Sequence, residues 1–77
     1  MAEVKFGKWL KEQRLDRGMT LMQFSEKCGV SYVTLSNIEN GKVNAGIHVL
    51  KKLAVALDKD YIELRNVVKN EDTEEGD

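Results

Sequence analysis

Apolar residues recur along this chain at three- and four-residue intervals, the spacing of one face of an α-helix, with little of the alternation that marks a half-buried strand. Phe6 and Leu10 stand four apart and Arg14 follows on the same face, so residues 3–17 read as a first helix that Gly18 ends. Thr20 with Gln23 three residues later is a capping-box signature, and it opens a short second helix with Leu21, Phe24 and Cys28 on one side. Gly29 follows where a left-handed C-terminal residue belongs. Ser31 caps a third helix almost at once, with Leu35 and Ile38 as its inward residues. Residues 40–46, Asn-Gly-Lys-Val-Asn-Ala-Gly, are a loop by composition. Ile47, Leu50, Leu53, Ala54 and Leu57 then keep helical spacing through a fourth helix. Asp60 and Glu63 form a second capping box, starting a fifth helix with Tyr61, Leu64, Val67 and Val68 apolar. From Asn70 onward no apolar side chain remains to offset the entropy of ordering. The pattern therefore predicts an all-α fold, a compact five-helix domain over residues 1–69 and a disordered acidic tail over 70–77.

Length and composition agree with one small domain. Seventy-seven residues leave too little chain for a second core, and the absence of proline suits helices throughout. The longest apolar run, Leu53 to Leu57, falls far short of the roughly 20 residues a membrane helix needs. The opening Met-Ala-Glu-Val-Lys-Phe does not read as a secretion signal. Cys28 is the only cysteine, so no internal disulfide is available, and a reducing, cytoplasmic setting follows.

Charge changes the picture more. Twelve Lys and Arg against thirteen Asp and Glu give a formal net charge of −1, which taken alone argues against a nucleic-acid partner. Five of those acids lie in the last seven residues, Glu-Asp-Thr-Glu-Glu-Gly-Asp. Setting them aside leaves eight acids against twelve bases over residues 1–70, a surplus of four positive charges. The body is basic and the tail acidic.

The informative segment is Thr20 to Lys42. Two short helices joined by only Gly29-Val30 cannot pack antiparallel; they must cross steeply, as in a helix-turn-helix. At about 100° per residue, Leu35 and Ile38 face inward while Val33, Ser36, Asn37 and Asn40 point the other way, with Tyr32 on the flank. A helix surface of amides, hydroxyls and one branched apolar residue suits base edges in a major groove.

These segments resemble the lambda repressor/Cro-like, Xre-type helix-turn-helix domain. The matching text is Phe-Gly-x-x-Leu-x-x-x-Arg-x-x-x-Gly-Met-Thr (6–20), Phe-Ser-Glu-Lys-Cys-Gly-Val-Ser (24–31), Leu-Ser-Asn-Ile-Glu-Asn-Gly-Lys (35–42) and Leu-x-x-Leu-Ala-x-Ala-Leu (50–57). The resemblance implies a buried structural ion pair between Arg14 and Glu39. It puts Thr20, Ser31, Asn40, Lys42 and Asn44 where relatives touch DNA phosphates. Tyr32, Val33 and Asn37 match base-reading positions, with Ser36 beside them. The fifth helix often serves such proteins as a dimer contact, which makes Tyr61, Ile62, Leu64, Val67 and Val68 the interface residues here. Three departures are Leu21 where the family has glutamine, Ser25 where it has alanine, and Ala45 where it has a loop proline. Residues 31–40 also carry no arginine or lysine, so the commonest guanine contact is missing and Asn37 on adenine with Val33 on a thymine methyl favours A·T pairs.

Other chemistry is thin. His48 has no cysteine or second histidine nearby to share a metal, and Cys28 falls on an apolar helix face as an inert core residue. Phe6 and Trp9 read as core or interface residues rather than as base-stacking platforms, which come several together. There is no nucleophile–base pair, phosphate-cradling loop or metal cluster, so the expectation is no enzyme, no cofactor and no small-molecule substrate. The reading is a transcriptional regulator, a repressor or autoregulator, that binds a palindromic double-stranded operator as a homodimer. The alternative is a protein-interaction module, or an antitoxin-type or controller protein acting with a partner protein.

Overall fold

Five helices form where the apolar spacing puts them. The computed structural model describes the backbone of residues 4–75 and the side chains of residues 4–69. The helices are α1 (Val4–Asp16), α2 (Leu21–Cys28), α3 (Tyr32–Glu39), α4 (Ile47–Leu57) and α5 (Tyr61–Glu75), with no strand among the described residues. Helix α1 packs on α3 and α5, α4 packs on α5 and α2, and α2 packs on α3.

Local chemistry fixes the boundaries. Thr20 and Gln23 close the capping box reciprocally, Gln23 N–H donating to Thr20 Oγ1 at 3.1 Å and Thr20 N–H to Gln23 Oε1 at 2.9 Å. Gly29 takes the left-handed conformation at φ 74°, and its N–H returns to the Ser25 carbonyl. Ser31 Oγ accepts the Thr34 N–H at 3.1 Å to start α3. Helix α4 ends on Asp58 at φ 57°, a short polar residue that tolerates the left-handed well.

Phe6, Leu10, Phe24, Leu35, Ile38, Leu53, Leu57 and Leu64 are closed off from solvent and form the core. Ala45 is buried beside them, so this alanine fills the place of the family's loop proline from within. A β-carbon on Gly7 would collide with the Ile38 carbonyl oxygen and stand 2.8 Å from that of Glu39. Glycine there lets α1 approach the backbone of α3, and α3 is held against the body by its own C-terminal turn.

Three expectations change. Ile47 is 51% exposed, because it is the first residue of α4 and lies outside the stripe of Leu50, Leu53, Ala54 and Leu57 that meets the core. Glu63 does not turn back to a capping box with Asp60; its carboxylate instead receives Lys59 Nζ at 3.0 Å. Helical backbone in α5 continues through Glu75, past Asn70 where the apolar pattern ends. Once a packed helix exists, each further residue fixes one pair of dihedrals and gains one hydrogen bond, and no glycine or proline interrupts before Gly76. Gly76 and Asp77, the end of the expected disordered tail, lie outside the described residues.

Candidate nucleic-acid interface

The segment from Thr20 to Asn44 is braced from three sides. At the turn between α2 and α3, Ser25 Oγ donates to the Val30 carbonyl at 2.6 Å, so the residue that departs from the family's alanine ties the two helices together. At the other end of α3, the Lys42 N–H donates to the Asn37 carbonyl at 2.8 Å and the Gly41 N–H to that of Ile38 at 3.1 Å, starting the loop to α4. From beneath, Arg14 meets the Glu39 carboxylate with Nε at 2.8 Å and Nη2 at 3.1 Å, while Nη1 donates to the Met19 carbonyl at 2.8 Å. The ion pair expected from the resemblance is thus present as a bidentate fork. Arg17 adds a tie that sequence spacing does not signal, Nη2 donating to the Leu57 carbonyl at 3.0 Å, forty residues on.

Held in this way, α3 turns Leu35 and Ile38 inward and presents Val33 and Tyr32 at 66% and 46% exposure. Ser36 and Asn37 are half-buried and Asn40 is exposed, its Nδ2 reaching Ser36 Oγ at 3.4 Å. The four expected base-reading residues therefore share one helix surface with Asn40. Thr20, Ser31, Lys42 and Asn44 are all exposed: Thr20 and Ser31 stand at the first turns of α2 and α3, Lys42 and Asn44 in the loop after α3. Leu21 is half-buried against the core, so the side chain in the family's glutamine position faces protein.

The expected dimer residues divide. Leu64 is fully buried and belongs to the core of its own chain. Tyr61, Val67 and Val68 are partly buried against that core, and Ile62 is 60% exposed. A residue with no accessible surface gives a second molecule nothing to touch, so Leu64 drops from the interface set.

Cys28 is buried, and its thiol is pushed above the ordinary 9.0 by desolvation, against the opposing pull of the Val30 and Cys28 backbones and Lys52. It is a core residue rather than a reactive thiolate. Among the described residues no group of three His, Cys, Asp or Glu could hold a metal ion, and no helix is long and apolar enough to cross a membrane.

Known proteins share this fold. The helix-turn-helix family model, HTH_3, matches residues 10–64. The restriction-modification controller protein C.AhdI from Aeromonas hydrophila superposes with a TM-score of 0.74 at 33% identity, over 79% of this chain and 92% of that one. An HTH_3 family transcriptional regulator from Vibrio cholerae superposes with a TM-score of 0.75 at 30% identity, over 83% of this chain and 36% of that one. The clp gene regulator ClgR from C. glutamicum, at 24% identity and a TM-score of 0.74 over 92% of both chains, shares the fold. No curated protein sequence matches the chain. Buried ion pair, braced turn and outward-facing third helix, together with the family match, make this chain a member of the helix-turn-helix family of DNA-binding regulators rather than an enzyme.

Proposed function

We propose that this DNA-binding regulator binds a two-fold symmetric operator in the cytoplasm as a homodimer and acts as a repressor or autoregulator. The observation that carries the reading is the outward face of α3. Val33, Ser36, Asn37 and Tyr32 stand clear of the core residues Leu35 and Ile38 on a helix anchored at both ends. Asn37 reads an adenine edge, Val33 packs on a thymine methyl, and Tyr32 and Ser36 read beside them. Thr20, Ser31, Asn40, Lys42 and Asn44 seat the domain on phosphates, fixing register without reading sequence. Pairing runs through the surface of α5 around Ile62, Tyr61, Val67 and Val68. Two copies place their recognition helices about 34 Å apart, one turn of DNA. The likeness to a restriction-modification controller that spans nearly all of that protein supports a regulator of this small size.

A second reading, a module that acts with a partner protein, is favoured by the absence of arginine and lysine between residues 31 and 40. Selection of binding sites from a random DNA pool at physiological salt, with the solution mass recorded alongside, separates the two. A two-fold symmetric motif bound by a dimer supports the operator reading. A monomer that enriches no motif overturns it in favour of the partner-dependent module.

A further inference from the structure

A groove of about 300 Å³ between α2 and α4 is lined by Lys27, Cys28, Lys51, Lys52 and Val55. Its floor is apolar: Cys28 is buried, and Val55, at 82%, is the most exposed large apolar side chain among the described residues. All three lysines are exposed, and none is ion-paired among the described residues. Lys51 Nζ stands 5.9 Å from the centre of the Tyr61 ring, so the groove abuts the first residue of α5.

The far end of α5 has the opposite character. Glu71, Asp72, Glu74 and Glu75 close the helix, and its last turn carries no base. The unpaired carbonyls of a helix C-terminus make that end negative, so carboxylates there are disfavoured unless a cation from elsewhere meets them. The chain's own groove cannot do so. Continuous helix from Tyr61 to Glu75 advances 1.5 Å per residue, which carries the acids about 15–21 Å away from Tyr61, and only Gly76 and Asp77 follow. The groove of a second copy can. Two α5 helices related by a two-fold axis pair either in the same direction or antiparallel. The parallel arrangement sets the two acidic ends together, like charge against like. The antiparallel arrangement brings each acidic end to the other copy's Tyr61, beside its lysine-lined groove, and makes the same contact twice.

We propose that the acidic end of α5, Glu71 to Glu75, docks in the α2–α4 groove of a second copy, its carboxylates on Lys27, Lys51 and Lys52, so that two copies clasp each other reciprocally. The proposal rests on the homodimer reading above and gives the pairing a direction, α5 antiparallel to α5. Glutamate suits such a site, because its methylenes lie along the apolar floor at Val55 while its carboxylate meets an ammonium at the rim. The clasp is electrostatic and open to solvent, so it weakens with salt, whereas the apolar contact around Ile62 does not.

Two full-length variants test it. One reverses the tail, Glu71→Lys/Glu74→Lys/Glu75→Lys, and the other reverses the groove, Lys27→Glu/Lys52→Glu. Circular dichroism melts establish that each is folded. At low salt, sedimentation equilibrium finds each variant alone dimerising roughly 3- to 30-fold more weakly than wild type, the loss of several exposed ion pairs. In about 1 M salt, where the screening length is about 3 Å, both variants dimerise like wild type. Mixed in equal amounts at low salt, the two variants form heterodimer above its statistical share, read by native mass spectrometry, because the tail of each fits the groove of the other. Variants that dimerise like wild type at low salt overturn the clasp and leave the dimer standing. Weakened variants that mix only statistically overturn the contact between copies. A groove variant with an intact dimer and weakened binding to duplex DNA overturns the clasp by assigning the lysines to phosphates. Wild-type protein that stays monomeric at every concentration overturns the dimer reading, and the clasp with it.

Discussion

Arg14 and Glu39, 25 residues apart in sequence, meet as a forked ion pair at the junction of the end of α1, the entry to α2 and the end of α3. Their side chains keep only 9% and 6% of their exposure, so each charge depends on the other. Arg14→Met alone or Glu39→Leu alone leaves a buried charge without its counterpart and lowers stability by about 3 kcal/mol. In a domain of this size that is a fall of roughly 12–24 °C in Tm, measured by circular dichroism. The double variant Arg14→Met/Glu39→Leu recovers part of the loss, since removing both charges removes the mismatch. Single variants that melt like wild type would show the pair to be ornamental.

Gly7 inverts an ordinary rule. In an exposed helix interior, glycine to alanine gains close to 1 kcal/mol. Here the new methyl meets the backbone oxygens of Ile38 and Glu39, and backbone yields far less than a side-chain tip. Gly7→Ala destabilises by about 1–3 kcal/mol and loosens the seat of α3, visible as a lower denaturant midpoint. A higher midpoint would mean that α1 can withdraw from α3 freely.

How much of this was legible in the sequence depends on range. Caps at Thr20 and Ser31, the left-handed Gly29 and the inward stripe Leu50–Leu53–Ala54–Leu57 are local, and three- or four-residue spacing reveals them. The outward face of α3 followed from the same periodicity. What escaped depends on contacts between distant segments. Arg17 on the Leu57 carbonyl, Gly7 under α3 and the burial of Leu64 each require knowing which helix lies beside which. Ser25 is a local miss of another kind: against the family's alanine it reads as a mere departure, and only its 2.6 Å bond to Val30 shows that the hydroxyl fastens the turn.

Leu64 and Ile62 sit two residues apart on α5 with opposite surroundings, one sealed in the core and the other 60% exposed. Leu64→Ala lowers the stability of the single chain by about 2–5 kcal/mol. Ile62→Asp leaves the melting of the monomer nearly unchanged and shifts the solution mass from dimer toward monomer. Light scattering alongside thermal melts reads both, and a dimer indifferent to Ile62→Asp would move the interface off this face.

Asn37 and Lys42 test the two halves of DNA recognition. Asn37→Ala weakens binding to the selected operator by about 1–3 kcal/mol and scarcely alters binding to random DNA. Lys42→Ala weakens both alike and reduces the salt slope by about one. Fluorescence anisotropy over a salt series distinguishes them. Equal losses on both duplexes for Asn37→Ala would remove it from the base-reading set.

Cys28 gives the fold an alkaline limit. Burial favours the neutral thiol, so its folded value lies above the ordinary 9.0 of the unfolded chain. The contribution is complete below that pH and is lost as pH rises through the folded value. Melting temperature should therefore fall more steeply above about pH 9 in wild type than in Cys28→Ala, whatever constant offset the smaller side chain brings. Parallel curves would mean that the thiol ionises as readily folded as unfolded.

The division of labour along α3 has a consequence for how such a protein changes. Leu35 and Ile38 hold the helix to the body, and the fastenings at Val30, Glu39 and Lys42 hold its two ends. Val33 and Tyr32, by contrast, are exposed and lie outside the core cluster. On the proposed function, the alphabet this helix reads can be rewritten without touching the frame that carries it. Two descendants of one such chain would then keep the same melting curve while obeying different operators, each deaf to the other's DNA.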